Sequence, residues 1–109
     1  MATTYKVLGQ SAPSATTNTD VYTVGSGKSA VVSTITVCNR SAVAVTYRIA
    51  IRVAGAAIAN EDYLAYDATV PANDSINLTL GITLAATDVV TVYASTANFS
   101  FNIFGSEIS

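Results

Sequence analysis

The chain has 109 residues, with five basic and seven acidic side chains and no histidine. That length allows one compact domain and excludes two, and the absence of a basic run excludes the electrostatic footprint of a protein that binds nucleic acid or an anionic membrane. Charged residues make up 11% of the sequence, compared with about 25% in ordinary globular domains, so part of the surface is predicted to face another protein.

Nothing in the sequence predicts secretion or membrane insertion. The opening, MATTYKVLGQ, lacks the apolar run of a secretory signal, and no apolar stretch reaches the roughly 18 residues that span a bilayer. The single cysteine, Cys38, cannot form an intramolecular disulfide, and without a histidine to activate it we interpret it as a small side chain near the core. We expect a soluble protein made in a reducing cytoplasm.

Apolar and small polar residues alternate along most of the chain, which is the pattern of β-strands with one buried face. No amphipathic helix of useful length is predicted. The predicted strands, in chain order, are Thr4–Leu8, Val21–Val24, Ser29–Asn39, Val43–Val53, Tyr63–Val70, Ile76–Leu84, Val89–Ser95 and Phe99–Phe104. Their number and spacing predict a single all-β domain over residues 1–109, an antiparallel β-sandwich or jelly roll of about eight strands.

Residues Ser11–Thr19, SAPSATTNT, follow the first predicted strand and are polar without periodicity. Two interpretations stay open. The segment is either a long surface connection or an extended arm that lies on a neighbouring subunit, where the partner's contacts would offset the entropy of ordering it. In the second case Pro13, Thr16 and Thr17 are candidate interface residues.

Residues Gly25–Ser29 end like a phosphate-binding loop. That motif needs a glycine where Tyr22 stands and a helix where a strand is predicted, so we predict a β-hairpin turn instead. The next turn, Asn39–Ala42, is predicted to join the strands on either side of it, Ser29–Asn39 and Val43–Val53, into an antiparallel hairpin.

Side chains alternate between two faces along each of these two strands. In the first strand Val31, Ile35 and Val37 share one face, and the other face carries Val32, Thr34, Thr36 and Cys38. In the second strand the core face is formed by every other residue: Val43, Val45, Tyr47, Ile49, Ile51 and Val53. Arg48 and Arg52 lie on its opposite face, where they could bind a carboxylate or phosphate. Ion pairing with a neighbouring subunit is the favoured interpretation.

Residues Ala54–Asn60 are small and are predicted to form either a helical turn or a tight connection between strands. The carboxylates that follow, Glu61, Asp62 and Asp67, raise the question of a cation site. Adjacent residues in an extended chain point to opposite faces, and the regular ligand spacing of a calcium loop is absent. A solvated loop is therefore favoured.

Aromatic residues in the second half of the chain allow two interpretations. Tyr63, Tyr66, Phe99, Phe101 and Phe104 could line a sugar site, because aromatic faces stack on carbohydrate. The alternating spacing of the first two phenylalanines is instead typical of a core-facing strand, and core is favoured. Phe104 is out of phase with that alternation and is predicted to be an exposed, candidate interface residue.

No arrangement of residues predicts an enzyme. The chain has no histidine and no convergent carboxylate pair, so general acid–base catalysis has no agent. The sequence likewise indicates no metal, no cofactor and no small-molecule substrate.

The run Asp20–Asn39, DVYTVGSGKSAVVSTITVCN, resembles the opening of small virion structural proteins of tailed bacteriophages and prophages, in which Tyr-Thr-Val precedes a turn and a long strand that ends in asparagine. Leu80–Leu84, Asp88–Ser95 and Phe104–Ile108 resemble the closing strands of the same proteins. The resemblance covers nearly the whole chain as a pattern of strand and turn residues. One departure is Gly25, where a proline is expected in this family.

The resemblance implies a non-enzymatic, self-associating β-sandwich subunit on the exterior of the virion, assembled in the host cytoplasm. A capsid decoration or cement protein that stabilises the shell is favoured over a tail or neck subunit, and a homotrimer is the expected assembly. The expected partners are further copies of the chain and the major capsid or tail proteins of the same virion. The alternative is a fibre-tip subunit that binds host carbohydrate through Tyr63, Tyr66 or Phe104.

Overall fold

Two antiparallel sheets of four strands each pack face to face. The computed structural model describes residues 2–109. The strands, numbered in chain order, are β1 (Thr3–Ser11), β2 (Thr19–Thr23), β3 (Ser29–Asn39), β4 (Val45–Arg52), β5 (Tyr63–Val70), β6 (Ser75–Leu84), β7 (Val89–Ala94) and β8 (Phe99–Ile108). Sheet I has the strand order β1-β8-β3-β6, and sheet II has the order β2-β7-β4-β5. The predicted all-β fold, an antiparallel sandwich of about eight strands, is confirmed.

The strands pair as if one long hairpin had been rolled up. Strand β1 pairs with β8, β2 with β7, β3 with β6 and β4 with β5, all antiparallel. Two further pairings, β3 with β8 and β4 with β7, complete the sheets. This is the connectivity of a jelly roll, and it makes the first and last strands of the chain neighbours in sheet I.

The core is formed by the inward side chains of both sheets, and aromatic rings lie at one end of it. Phe99 and Phe101 are fully buried, and their rings contact the ring of Tyr47 across the sandwich at centroid distances of 5.7 and 6.3 Å. Burial of each such side chain contributes about 1.5–3 kcal/mol. The core positions of these phenylalanines are therefore as predicted, and Phe104 is 37% exposed, also as predicted.

Strand β4 is shorter than predicted but has the predicted faces. Tyr47 and Ile49 are buried in the core, whereas Arg48 lies on the outer face. Val43 and Val53, the predicted ends of the strand, fall outside β4 and are 65% and 66% exposed.

The predicted hairpin of β3 and β4 is wrong, because the two strands belong to different sheets. Residues 40–44 form an arch that carries the chain from sheet I to sheet II. Each strand has an apolar face, and facing one another across the core buries both. The predicted hairpin at Gly25–Ser29 is wrong in the same way. A β-turn closes there through a 3.1 Å hydrogen bond from the Lys28 N–H to the Gly25 carbonyl, but it joins β2 in sheet II to β3 in sheet I.

Asn39 is the side chain that holds the β3–β4 arch, and it is only 1% exposed. Its amide nitrogen donates to the carbonyls of Val43, Val70 and Pro71 at 2.8, 3.1 and 3.0 Å. Its Oδ1 accepts from the N–H and the hydroxyl of Ser41. One buried amide thus ties the arch to the connection between β5 and β6, where the sequence predicted only the first residue of a turn.

Asp88 plays the corresponding role at the opposite end of the sandwich. It is 8% exposed, and its two carboxylate oxygens accept from the N–H groups of Ala54 and Ala85, both at 2.9 Å. The side chain therefore joins the turn after β4 to the connection between β6 and β7. The segment between β4 and β5 contains two short 3-10 turns, Val53–Gly55 and Asn60–Asp62.

A β-bulge at Ser33 changes which residues of β3 face the core. The register of β3 against β8 shifts at this residue, so Val32 is buried together with Ile35, while Val31 is half-buried on the outer face. One extra residue reverses the alternation of the strand. The prediction that these residues share one face is therefore right for Ile35 and Val37 and wrong for Val31.

Two glycines of sheet I are required by close backbone approach. A Cβ on Gly105 would collide with the carbonyl oxygen of Val31, and a Cβ on Gly9 would collide with the carbonyl oxygen of Val21 in β2. The first contact lies where β8 passes the bulge of β3, and the second lies where the edge of sheet I comes closest to sheet II. A larger residue at either place would have to push two strands apart.

Candidate interaction surfaces

The outer face of sheet I carries exposed apolar side chains around β1 and β8. Tyr5 is 84% exposed, Val7 is 47% exposed, and Phe104 is 37% exposed. Val7 lies directly opposite Phe104, and Tyr5 shares a row of the sheet with Val31, with Ser106 between them. We call Tyr5, Val7, Val31 and Phe104 the apolar patch.

A shallow cavity of about 460 Å³ lies within the apolar patch, with Tyr5, Val31 and Phe104 around it and Gly105 and Ser106 among its lining residues. Its lining is mainly apolar and contains one charged residue, Lys6. The cavity is open and broad, so it suits a side chain of a partner protein better than an enclosed small ligand.

The charges nearest to the apolar patch neutralise one another within the chain. Lys6 Nζ lies 2.9 Å from Glu107 Oε1, and the buried phenol of Tyr22 in sheet II donates to Glu107 Oε2 at 2.7 Å. The hydrogen bonds from Lys6 and Tyr22 lower the pKa of the Glu107 carboxyl. Burial, and then the contact with Glu107, raise the pKa of Tyr22. The patch itself therefore presents no unpaired charge.

The outer face of sheet II is different in chemistry, because it centres on the guanidinium of Arg48. That group lies over the rings of Tyr66 and Tyr93 at 4.2 and 4.3 Å from their centroids, and it donates two hydrogen bonds to Asp67 at 2.7 and 3.2 Å. The hydrogen bonds from Arg48 lower the pKa of the Asp67 carboxyl. Asp67 reaches this position through a left-handed backbone conformation, φ 51°, at an irregularity in the pairing of β4 and β5.

A second cavity adjoins this cluster of Arg48, Tyr66, Tyr93 and Asp67, and Tyr66 belongs to both. It measures about 270 Å³ and is lined by Asn60, Tyr63 and Tyr66. The two tyrosine rings meet edge to face, with centroids 4.8 Å apart, and Tyr66 is 58% exposed. The structure thus brings together the two tyrosines that the sequence singled out for a sugar site, and it places Phe104 on the other sheet, away from them.

Arg52 is bound entirely within its own chain. Its guanidinium donates to Asp20 Oδ1 at 2.9 Å and to the carbonyls of Gly55 and Ala56 at 2.7 and 2.8 Å. The same Asp20 oxygen accepts from the buried hydroxyl of Thr91. Arg52 therefore ties β4 to β2 and to the turn that follows β4, and it shares a face with Arg48 without sharing a binding site.

The segment after β1 lies against its own domain. Pro13 is buried, and the N–H of Thr16 donates to the carbonyl of Ala94 at 2.8 Å. Thr17 is exposed, and its hydroxyl donates to the carbonyl of Ala15. In the described chain these residues connect sheet I to sheet II, and of the three candidate interface residues Thr16 and Thr17 are exposed while Pro13 is not.

The three predicted carboxylates do not converge. Asp62 accepts from the N–H of Ala59, and Asp67 binds Arg48, while Glu61 is exposed. Across residues 2–109 the acidic and cysteine side chains form no cluster of three that could hold a metal ion. The described part of the chain also contains no helix with the length and apolar character needed to cross a membrane.

Comparison with known proteins gave no relative. No family profile, no curated protein and no solved structure matches the chain.

Proposed function

We propose that the chain is a non-enzymatic virion structural protein of a tailed phage, a self-associating subunit on the exterior of the particle, with capsid decoration or cement as the favoured role. The observation that carries this proposal is the apolar patch of sheet I. Its residues are uncharged and contiguous, and three of them, Tyr5, Val7 and Phe104, are exposed. Contiguous exposed apolar surface on a domain marks a protein interaction site.

Composition and topology support the same proposal. Charged residues make up 11% of the chain, so the surface lacks the charges that keep an isolated small domain soluble. Jelly rolls occur widely in viral capsid proteins, and the chain resembles small phage structural proteins in its strand and turn residues. A fold alone does not assign a function, so the proposed function depends mainly on the apolar patch.

The predicted interface residues contribute unequally to this proposal. Phe104 lies in the apolar patch, whereas Arg48 and Arg52 already have carboxylate partners in their own chain. An interface on sheet II would therefore use the stacked surface of Arg48 and its tyrosines rather than a new ion pair. Thr16 and Thr17 remain accessible for an arm contact. The expected homotrimeric state is supported only by the resemblance to small phage structural proteins.

The test uses phage particles that lack the protein and purified protein added back to them. We expect wild-type protein to bind the shell, and Phe104→Lys to bind at least about tenfold more weakly, since it places a charge in an apolar contact. Leu64→Lys is the matched control, because Leu64 is 49% exposed on β5 of sheet II. Equal binding by both variants would remove the apolar patch from the proposal.

A second candidate function is carbohydrate binding by a fibre-tip subunit. The observation that favours it is the cavity lined by Asn60, Tyr63 and Tyr66, since an aromatic ring beside an amide can stack on a sugar and hydrogen-bond to its hydroxyls. Glycan binding by the purified protein that is lost in Tyr66→Ala would support this function. Absence of binding to host-surface glycans would exclude it.

A further inference from the structure

We infer that the protein self-associates through the edge of sheet I, by antiparallel pairing of β1 with β1 of a second copy about a twofold axis at Tyr5. This inference rests on the proposed self-association and specifies its geometry. The pairing would join the two four-stranded sheets I into one continuous sheet, with the apolar patches of the two copies side by side on one face.

The hydrogen-bonding pattern identifies which backbone groups of β1 are free. Ala2 and Ser109 exchange both backbone hydrogen bonds, each 2.9 Å long. In an antiparallel pair such hydrogen-bonded residue pairs alternate with non-bonded ones. Tyr5 and Ser106 lie opposite each other three residues further along the strands, so they form a non-bonded pair. The N–H and C=O groups of Thr3, Tyr5 and Val7 therefore point away from β8, and β8 is the only neighbour of β1 in sheet I.

The same residues have the exposed side chains, so the edge offers backbone and apolar contacts together. Tyr5 and Val7 are 84% and 47% exposed. The stretch Thr3–Val7 pairs with β8 without interruption, and the register shifts only beyond Val7. An unbroken edge with apolar side chains and no proline is a template for strand addition.

The other sheet edges lack this combination. Strand β2 is short and has a register shift after Asp20, and β5 is distorted at Asp67. In β6 a left-handed Gly81, φ 75°, interrupts the edge. The regular half of β6 exposes only polar side chains: Ser75, Asn77 and Thr79. Burial of these polar side chains would contribute little free energy to association.

Charge favours a second copy as the occupant. With Tyr5 opposite Tyr5 of the second copy, Thr3 lies opposite Val7 and Thr4 lies opposite Lys6. Lys6 therefore meets no like charge across the pair, and in its own chain it is already paired with Glu107 at 2.9 Å. Self-pairing of this edge thus brings no repulsion between directly opposed residues.

The area is that of a weak but specific dimer. An aromatic side chain buries about 150–250 Å², so the two copies of Tyr5, the two copies of Val7 and the paired strands together reach roughly 1,000 Å², the lower limit for a specific interface. We expect reversible dimers in solution at micromolar concentration. A threefold ring would need two different edges that fit each other, so the twofold pairing predicts a dimer in place of the trimer that the resemblance implies.

Cysteine cross-linking tests the pairing and its register, in a Cys38→Ser background. Tyr5→Cys should form a disulfide-linked dimer under mild oxidation, because opposed residues of a bonded pair have Cα atoms about 5.5 Å apart, within the disulfide range. Thr3→Cys alone and Val7→Cys alone should stay unlinked, since each lies about 13 Å from its own copy. A mixture of the Thr3→Cys and Val7→Cys proteins should link.

A non-covalent experiment provides the second readout. In sedimentation, Tyr5→Lys should raise the dimer dissociation constant by roughly tenfold or more, because it places like charges directly opposite each other. Leu64→Lys, a change at an exposed residue of sheet II, should leave it unchanged. Self-association without the Tyr5→Cys link, or a trimer unaffected by Tyr5→Lys, would overturn the edge pairing while leaving the proposed function intact. A monomer at all concentrations would overturn both the edge pairing and the self-association, and binding of that monomer to particles would leave only the decoration role.

Discussion

Replacing Asn39 by alanine should destabilise the fold more than any other single change at the ends of the sandwich. The Asn39 side chain is 1% exposed and makes hydrogen bonds to Ser41, Val43, Val70 and Pro71. These partners lie in the β3–β4 arch, at the end of β5 and in the connection that follows β5. The substitution leaves all of them without their amide partner.

The expected cost follows from where these partners lie. The bond to the Val70 carbonyl is buried, and the bonds to the other three residues are partly buried. A buried group left without its partner costs about 1–3 kcal/mol, and a partly buried bond that water can replace costs about 0.5 kcal/mol. With the middle of the first range, the sum is about 3.5 kcal/mol, which for a domain of this size lowers Tm by roughly 14–28 °C.

The assay is urea unfolding and thermal unfolding of the monomeric protein at low concentration. Asn77→Ala is the control, because Asn77 is exposed on β6 and should change the unfolding free energy by less than about 0.5 kcal/mol. Asn39→Asp should be as destabilising as Asn39→Ala, since a carboxylate cannot donate to the three carbonyls. An Asn39→Ala protein as stable as Asn77→Ala would refute the role of Asn39.

Three further predictions concern sheet I and its contact with sheet II. Tyr22→Phe should lower the unfolding free energy by about 1.5–3 kcal/mol, because the hydrogen bond to Glu107 is lost. The folded state raises the pKa of Tyr22, so the wild type should also lose stability as the pH rises above about 10. A Tyr22→Phe protein with the same loss of stability at alkaline pH would refute the role of Tyr22 in that pH dependence. The folded state lowers the pKa of Glu107, so the stability that this carboxylate contributes is present above about pH 4.3 and is lost as the pH falls below that value. Urea midpoints measured from pH 6 to pH 2 should therefore fall less in Glu107→Gln than in the wild type. Equal falls in the two proteins would contradict the role of Glu107 in acid stability. Gly105→Ala should lower the unfolding free energy measured in urea by about 1–3 kcal/mol or more, because the added Cβ collides with the Val31 carbonyl. Gly25→Ala is the control, because its Cβ meets only the flexible Lys28 side chain, and it should lower that free energy by less than half as much.

The strands were predictable from the sequence because their signal is local. Alternation along β4 and β8 gave the buried positions of Tyr47, Phe99 and Phe101, and it gave the exposure of Phe104. The pairing of the strands was not predictable in the same way. Consecutive strands are usually neighbours in a sheet, whereas here β3 and β4 lie in different sheets, and their apolar faces are compatible with either arrangement.

Features that depend on more than one strand were missed for the same reason. The bulge at Ser33 is defined by register against β8, and no local pattern signals an extra residue. Asn39 carries the signature of a turn residue, although its partners Val70 and Pro71 lie about thirty positions further along the chain. The free edge at Tyr5 exists only because the roll makes β1 the outermost strand of sheet I.

The thermal stability of phage particles with and without this protein tests the proposed function most directly. A subunit that binds only the assembled shell stabilises it by mass action. Particles that lack the protein should therefore disassemble at lower temperature or lower salt than complete particles, and they should still adsorb to host cells at the wild-type rate. Particles that are equally robust but fail to adsorb would contradict the decoration role and favour the fibre-tip function, with Tyr63 and Tyr66 as the first residues to replace.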